Sequence, residues 1–313
     1  MSSTLAAADP ANHSPSRLSG PIVASVGEDG RRVLRAAAAL APLAMERVHV
    51  FSAIEPLPVE NVVSDAFVTS PGIRQVREVR RESRVEYLNA RLAEVRAADR
   101  WRLEVEHGEP ASALLRRTRE LDAALIVIGI GHQRPADRLV GEEMALRVTR
   151  RASCPVLAVG GELGHRPREV VVATDFSAQS MNAARTVLPL LDRGATLHVV
   201  HVWEPGAATD PASSKVDEVY SRSITARLVR FVADLRTPPG VSVRMAVCAG
   251  RCATQIIAYA RKHEADLIVA ARQGLNTITR FFVGSVATSL LLGASCSVLI
   301  TPEHQFDAAP AAP

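Results

Sequence analysis

Read as apolar and polar positions, the chain alternates short β-branched runs with longer stretches of helical period. In the second half, Glu169–Thr174 is a compact valine-rich run closed by Asp and Ser, the pattern of a strand buried on both faces. Ser177 stands where an N-cap is needed for a helix running through Leu191. Thr196–Trp203 reads as the next strand, a helix follows from about Ser214 to Leu235, and Val241–Val247 alternates as a strand. Ala253–Lys262 has helical period, Asp266–Ala270 is a central apolar strand, Ser285–Leu292 a helix and Ser297–Thr301 the last strand. The first half predicts strands at Pro21–Ser25, Val48–Ala53, Arg102–Glu106, Ala124–Gly129 and Val156–Val159.

The two halves are copies. An offset of 149 places Ala24 on Ala173 and Glu55-Pro56 on Glu204-Pro205; beyond a variable middle the offset is 142, which places Gly108 on Gly250, Gly129 on Ala271 and Cys154 on Cys296. The same landmarks recur in the same order, which is the signature of a tandem duplication. A chain of 313 residues suits two such units. The expected organisation is a disordered tail at 1–20, one domain at 21–160, a linker at 161–168, a second domain at 169–303 and a second tail at 304–313.

Strands that alternate with helices predict a parallel sheet covered on both faces, with right-handed crossovers. The predicted fold class is therefore α/β: two tandem Rossmann-like modules, each a five-stranded parallel sheet with helices on both faces. In such sheets ligands bind beyond the carboxyl ends of the strands, where strand order reverses. Asp175 follows the first strand of the second half and Ala271 follows the fourth, so both are expected on that rim.

Composition narrows the function. Aromatics are only 4% of residues, so the cores must be built from Ala, Val, Leu and Ile. No run of 18 uncharged apolar residues predicts a membrane span. The first 20 residues lack the basic start and apolar stretch of a signal peptide, and the expected location is cytoplasmic. The net charge of +4 is modest, and the basic stretch Arg74–Arg84 is interrupted by glutamates, as on a solvated helix face. A nucleic-acid site would require a basic patch with aromatic platforms, and none is visible. Four cysteines make no disulfide framework; Cys154 and Cys296 read as small buried residues, and Cys248 and Cys252 have the wrong spacing for a redox or zinc pair. His198 and His201, three apart in a strand, point to opposite faces and do not make a metal pair.

One loop carries candidate chemistry. It reads Ala271-Arg272-Gln273-Gly274, then nine residues, then Gly284-Ser285. Glycine permits φ > 0 and lets backbone N–H groups approach a phosphate with no Cβ in the way. Gly284-Ser285 opens a helix, whose unpaired amides and positive dipole end attract an anion. The Ser285 hydroxyl adds a donor, and Asp175 can accept from a base or sugar across the crevice. Arg272 and Arg280 flank the loop and either face phosphate or are solvated surface arginines. Thr277 and Thr279 read as ordinary loop residues.

The spacing G-x2-G-x9-G-S/T, the Asp after the first strand and a last strand led by a Cys-bearing turn resemble the nucleotide-binding universal stress proteins. The resemblance covers roughly residues 20–160 and 168–303. In that family the aspartate and a backbone group of the second strand recognise adenosine, while the glycines and the hydroxyl hold the phosphates, often with a divalent metal such as Mg2+. Carried onto this chain, the resemblance implies ATP held by Asp175, Val202, Gly274, Gly284 and Ser285, with Ala271 in place of the first glycine. If that position needs φ > 0, its Cβ costs roughly 1 kcal/mol. The first half departs further: Val26 replaces the aspartate, His132 stands where Gly274 does, the stretch to Gly141 is one residue shorter, and Glu142 replaces Ser285. A carboxylate at that helix start would repel phosphate, so the first half is expected to be degenerate for nucleotide.

The function expected from this reading is a stress-response protein that binds ATP in its C-terminal domain and acts as a nucleotide-dependent regulator or interaction module. The alternative is a tandem stress protein that binds no nucleotide and acts purely through protein partners. No Lys-bearing phosphate loop, paired carboxylates or triad is visible, so the chain is not expected to be an enzyme beyond slow incidental ATP hydrolysis. The last strands of the halves, Val156–Val159 and Ser297–Thr301, are expected to pair within the chain, because an exposed apolar edge must be covered. A homodimer of the whole chain is compatible with the sequence but has no specific residue behind it.

Overall fold

The computed structural model describes residues 18–27, 30–45, 47–56, 70–95, 100–130, 144–204, 213–273 and 283–303, with no account of the side chains of 213–222. The first repeat runs β1 (Ile22–Ser25), α1 (Gly30–Leu40), β2 (Val48–Ile54), α2 (Pro71–Leu92), β3 (Arg102–His107), α3 (Pro110–Glu120) and β4 (Leu125–Gly129). It ends with a helix at 144–151, α4, and β5 (Val156–Val159). The second repeat runs β6 (Glu169–Ala173), α5 (Ala178–Val187), β7 (Thr196–Trp203), α6 (Ser213–Leu235), β8 (Ser242–Ala249), α7 (Cys252–Lys262), β9 (Leu267–Ala271), α8 (Ser285–Gly293) and β10 (Ser297–Thr301).

The ten strands form one sheet in the order β3-β2-β1-β4-β5-β10-β9-β6-β7-β8. Within each repeat every pairing is parallel, as crossover helices require. The two five-stranded sheets join where β5 meets β10 antiparallel, with Val298 opposite Ala158, Leu299 opposite Leu157 and Ile300 opposite Val156. Each last strand thereby covers the other's apolar edge.

Alternation along the strands divides the interior into two layers. Val170 and Val172 face one side with Ile22 and Ala24, while Val171 and Val23 face the other. Each layer contains residues of both repeats, so the cores are continuous across the seam. A one-residue slip in any strand would exchange the two faces, and burial on both sides therefore fixes the register.

Local chemistry sets the helix ends. The Ser177 hydroxyl accepts from the Ser180 amide at 3.1 Å and caps α5. The helix expected to reach Leu191 stops at Val187 and finishes in a 3-10 turn at Leu188–Leu190. Pro189 is the reason: it has no N–H to give to the Arg185 carbonyl one turn back. α2 buries only Leu88 along its 22 residues, which explains its glutamate-interrupted basic stretch.

Two segments read from the sequence as tail and linker are partly packed. Leu18 is buried and its amide donates to the Leu43 carbonyl. Leu163 lies in the core, and Arg166 donates to the carbonyls of Pro189 at 2.8 Å and Leu190 at 3.3 Å. A single apolar residue in a polar stretch carries no periodicity, so neither contact is legible from pattern. Among the described residues, no helix is long and apolar enough to cross a membrane.

Candidate functional site

In the second repeat, strand order reverses between β6 and β9, which places the crevice at their carboxyl ends. Asp175 stands there, two residues past β6, in a turn built by short polar side chains. Its Oδ1 accepts from the Ser177 amide at 3.0 Å and from the Ser177 hydroxyl. Thr174 Oγ1 accepts from the Phe176 amide at 3.0 Å and lies 3.0 Å from Ser180 Oγ. This self-bonded turn holds Phe176 at φ 65°, a left-handed conformation costly for a bulky side chain.

The Phe176 ring is packed by His201, Phe231 and Arg227. It lies 4.4 Å from the His201 ring at a tilt of 31°, and 6.4 Å from Phe231 edge-on. The Arg227 guanidinium lies over it at 4.2 Å, within cation–π range. His201 Nδ1 is 2.8 Å from the Thr174 carbonyl, so that nitrogen carries the proton. Burial, reinforced by the Arg227 charge, lowers the His201 pKa below its ordinary value against the opposing pull of the Thr174 carbonyl and Asp175. At neutral pH His201 is therefore a neutral Nδ1–H tautomer. Cys252, the first residue of α7, also shares this rim: burial pushes its thiol up to about 11, with Glu204 and Asp175 adding to the shift. Only the fold brings Phe176 and His201 together; their spacing in the chain gives no signal.

Val202 lies half-buried in β7, opposite Cys248 of β8. Ala271 is the last residue of β9, opposite Thr301, and is not among the residues of positive φ. The cost feared for a Cβ at this position therefore does not arise. Gly274 lies outside the described residues, as do Thr277, Thr279 and Arg280.

Gly284 is the N-cap of α8 with φ −57° and ψ 152°, values open to any residue. Conformational freedom is thus not why glycine stands there. Its amide donates to the Arg272 carbonyl at 2.8 Å, and a Cβ would lie 3.3 Å from that oxygen, so close approach is the reason. No side chain caps the helix, and Thr288 N–H to Gly284 C=O at 3.0 Å is its first i→i−4 bond. The amides of Ser285, Val286 and Ala287 consequently have no acceptor within the helix. Ser285 is exposed beside them. The arrangement suits an anion.

Arg272 does neither of the two things its sequence position suggested. It is buried, and Nη1 donates to the carbonyls of Ala152 at 3.0 Å, Arg150 at 3.3 Å and Thr149 at 3.4 Å in the first repeat. These are carbonyls at the C-terminal end of α4, the negative end of its dipole. Burial pulls the guanidinium below its ordinary pKa.

The first repeat's crevice is built differently. Val26, at the place of Asp175, is buried, and its carbonyl accepts from Ser52 Oγ at 2.9 Å. Arg84 of α2 reaches the same point, with Nε to Ser52 Oγ at 2.8 Å and Nη2 to the Val26 carbonyl at 3.2 Å. An arginine of the chain thus occupies polar groups at the end of β1. His132, Gly141 and Glu142 lie outside the described residues.

Elsewhere, His198 is fully buried between Glu169 Oε2 at 2.8 Å and Tyr259 Oη at 3.0 Å. It faces α7 while His201 faces Phe176 and Phe231, the opposite sides expected of strand residues three apart. Among the described residues no group of three His, Cys, Asp or Glu side chains converges to hold a metal. All four cysteines are free, and burial pushes the Cys154 thiol up to about 12 and that of Cys296 to about 11.

Comparison with known proteins adds the following. The model of the Universal stress protein family matches twice, over residues 22–160 and 167–302. A universal stress protein of Methanocaldococcus jannaschii is 25% identical over 138 residues, 42% of this chain and 81% of that protein. Among solved structures, a universal stress protein from Archaeoglobus fulgidus superposes with a TM-score of 0.60 at 18% identity, over 90% of this chain and 96% of that one. A functionally unknown protein from Pseudomonas aeruginosa PAO1 does so with a TM-score of 0.57 at 13% identity, over 90% and 92%. At these identities the superpositions speak to the fold.

Proposed function

Because the chain belongs to the universal stress protein family, we propose that its second repeat binds ATP and that occupancy makes the protein a nucleotide-dependent regulator or interaction module. The observation that carries this reading is the start of α8. Three amides without acceptors in their own helix and the exposed Ser285 open beside Ala271, at the point where strand order reverses. The phosphates would lie on the α8 amides and Ser285, with Gly284 giving close approach and Gly274 completing the set. Asp175 would accept from the nucleoside, with the Val202 backbone beside it. A divalent ion such as Mg2+ would be held chiefly by phosphate oxygens, since no protein cluster for it converges among the described residues.

The described residues of the first repeat do not offer this chemistry. Val26 offers no carboxylate, and Arg84 is hydrogen-bonded where a nucleoside would approach. One nucleotide per chain is the expected stoichiometry. The second reading, action through protein partners with no nucleotide, is favoured by one observation: Asp175 Oδ1 is already engaged by both donors of Ser177. A thermal melt with millimolar ATP, with and without magnesium, separates the two. A raised melting temperature supports nucleotide binding; an unmoved melt favours the partner-only reading.

A further inference from the structure

Arg272 belongs to two places at once. Its main chain lies at the nucleotide rim: the N–H donates to the Thr301 carbonyl at 2.8 Å, and the carbonyl accepts from the Gly284 amide, also at 2.8 Å. That second bond ties the end of β9 to the N-cap of α8. Its side chain lies in the other repeat, on the carbonyls that end α4. Nε is buried and finds no hydrogen-bond partner among the described residues, so the hydrogen bonds of the guanidinium run through Nη1 to the end of α4, with the Glu303 charge also favouring its charged form.

The duplication supplies an internal control. The corresponding residue of the first repeat is Ile130, whose amide donates to the Val159 carbonyl at 3.1 Å just as Arg272 donates to Thr301. The backbone arrangement is therefore shared and the side chain is not. Ile130 is buried in the apolar layer and has no polar group to fasten to the second repeat. An arginine in such a place must be desolvated, and helix C-terminal carbonyls are among the few neutral partners that compensate a buried cation. The contact is built in one direction only.

We propose that Arg272 is a positioning residue that relays nucleotide occupancy of the second repeat to α4 of the first. The proposal rests on the nucleotide reading of the rim. An anion on the α8 amides pulls on the first turn of that helix; Gly284 passes the pull to the Arg272 carbonyl, and the guanidinium carries it to the end of α4. The two repeats thus differ in role: one takes the ligand and the other answers.

The test is hydrogen exchange on the full chain with and without magnesium and ATP, read at residues 144–152 and at 283–288, in the wild type and in Arg272→Met. Expected in the wild type is slower exchange at both segments, with a change at 144–152 of about fivefold. Arg272→Met should bind ATP and protect 283–288 but leave 144–152 unmoved. Arg272→Lys keeps the buried charge, but its ammonium ends one bond short of the Nη1 position that meets the α4 carbonyls, and it should also lose most of the α4 response. Protection at 283–288 with none at 144–152 in the wild type overturns the relay and leaves nucleotide binding standing. A response at 144–152 that survives in both variants overturns the role of Arg272. Protection at neither segment, with no measurable ATP binding, retires the nucleotide reading and the relay together.

Discussion

Leu157 of the first repeat and Leu299 of the second are register partners across the β5–β10 seam, and both are excluded from solvent. They lie in one apolar layer that runs through both halves. The repeats therefore share a core as well as an edge.

Leu299→Ala should cost about 2–5 kcal/mol, the range for emptying a buried leucine site. Because the layers are continuous, the loss should appear as a shift of one cooperative transition. Calorimetry with matched calorimetric and van't Hoff enthalpies checks this. Two separated transitions would show that the repeats unfold independently.

Much of this architecture was legible beforehand. The offsets of 149 and 142 placed every strand to within about two residues, and the Val-rich runs announced burial on both faces. What escaped were relations between distant residues of similar chemistry. Arg272 read as a residue facing phosphate or solvent because its spacing places it in the loop; no local pattern says that its side chain turns to α4. Phe176 is hidden because a left-handed aromatic has no sequence signal; of the two uses of glycine that the loop suggests at Gly284, conformational freedom and close approach, the backbone angles leave close approach.

His198→Ala should destabilise the protein by about 2–4 kcal/mol, since it opens a cavity at a fully buried site and removes the ring that joins the Tyr259 hydroxyl to the Glu169 carboxylate. Urea unfolding followed by circular dichroism measures it. A cost below about 0.5 kcal/mol, the level of a neutral surface change, would contradict this account.

Acidification through the histidine range should weaken the fold. Burial lowers the pKa of His201, and the pKa values of His49 and His263 are lowered as well, again chiefly by burial. For a histidine with a depressed folded pKa, the unfolded chain binds more protons, so stability is full above about 6.5 and is lost as pH falls through the folded value. Urea midpoints between pH 7.5 and 5 should decline, and His201→Gln should flatten part of that decline. An identical slope in the variant would remove His201 from the effect.

Arg84→Met should lower stability by about 1–3 kcal/mol through loss of its bonds to Ser52 and Val26, without creating a second nucleotide site, because Val26 still offers no carboxylate. Thermal melts of the variant with and without ATP test both halves of that statement. A second bound equivalent of ATP would contradict it.

The most direct measurement is calorimetric titration of the full chain with magnesium and ATP, alongside Asp175→Ala and Gly284→Val. The account predicts saturation at one nucleotide per chain in the wild type and affinity weakened by about tenfold or more in each variant, about 1.4 kcal/mol. Two equivalents per chain, or one affinity shared by all three proteins, would contradict it.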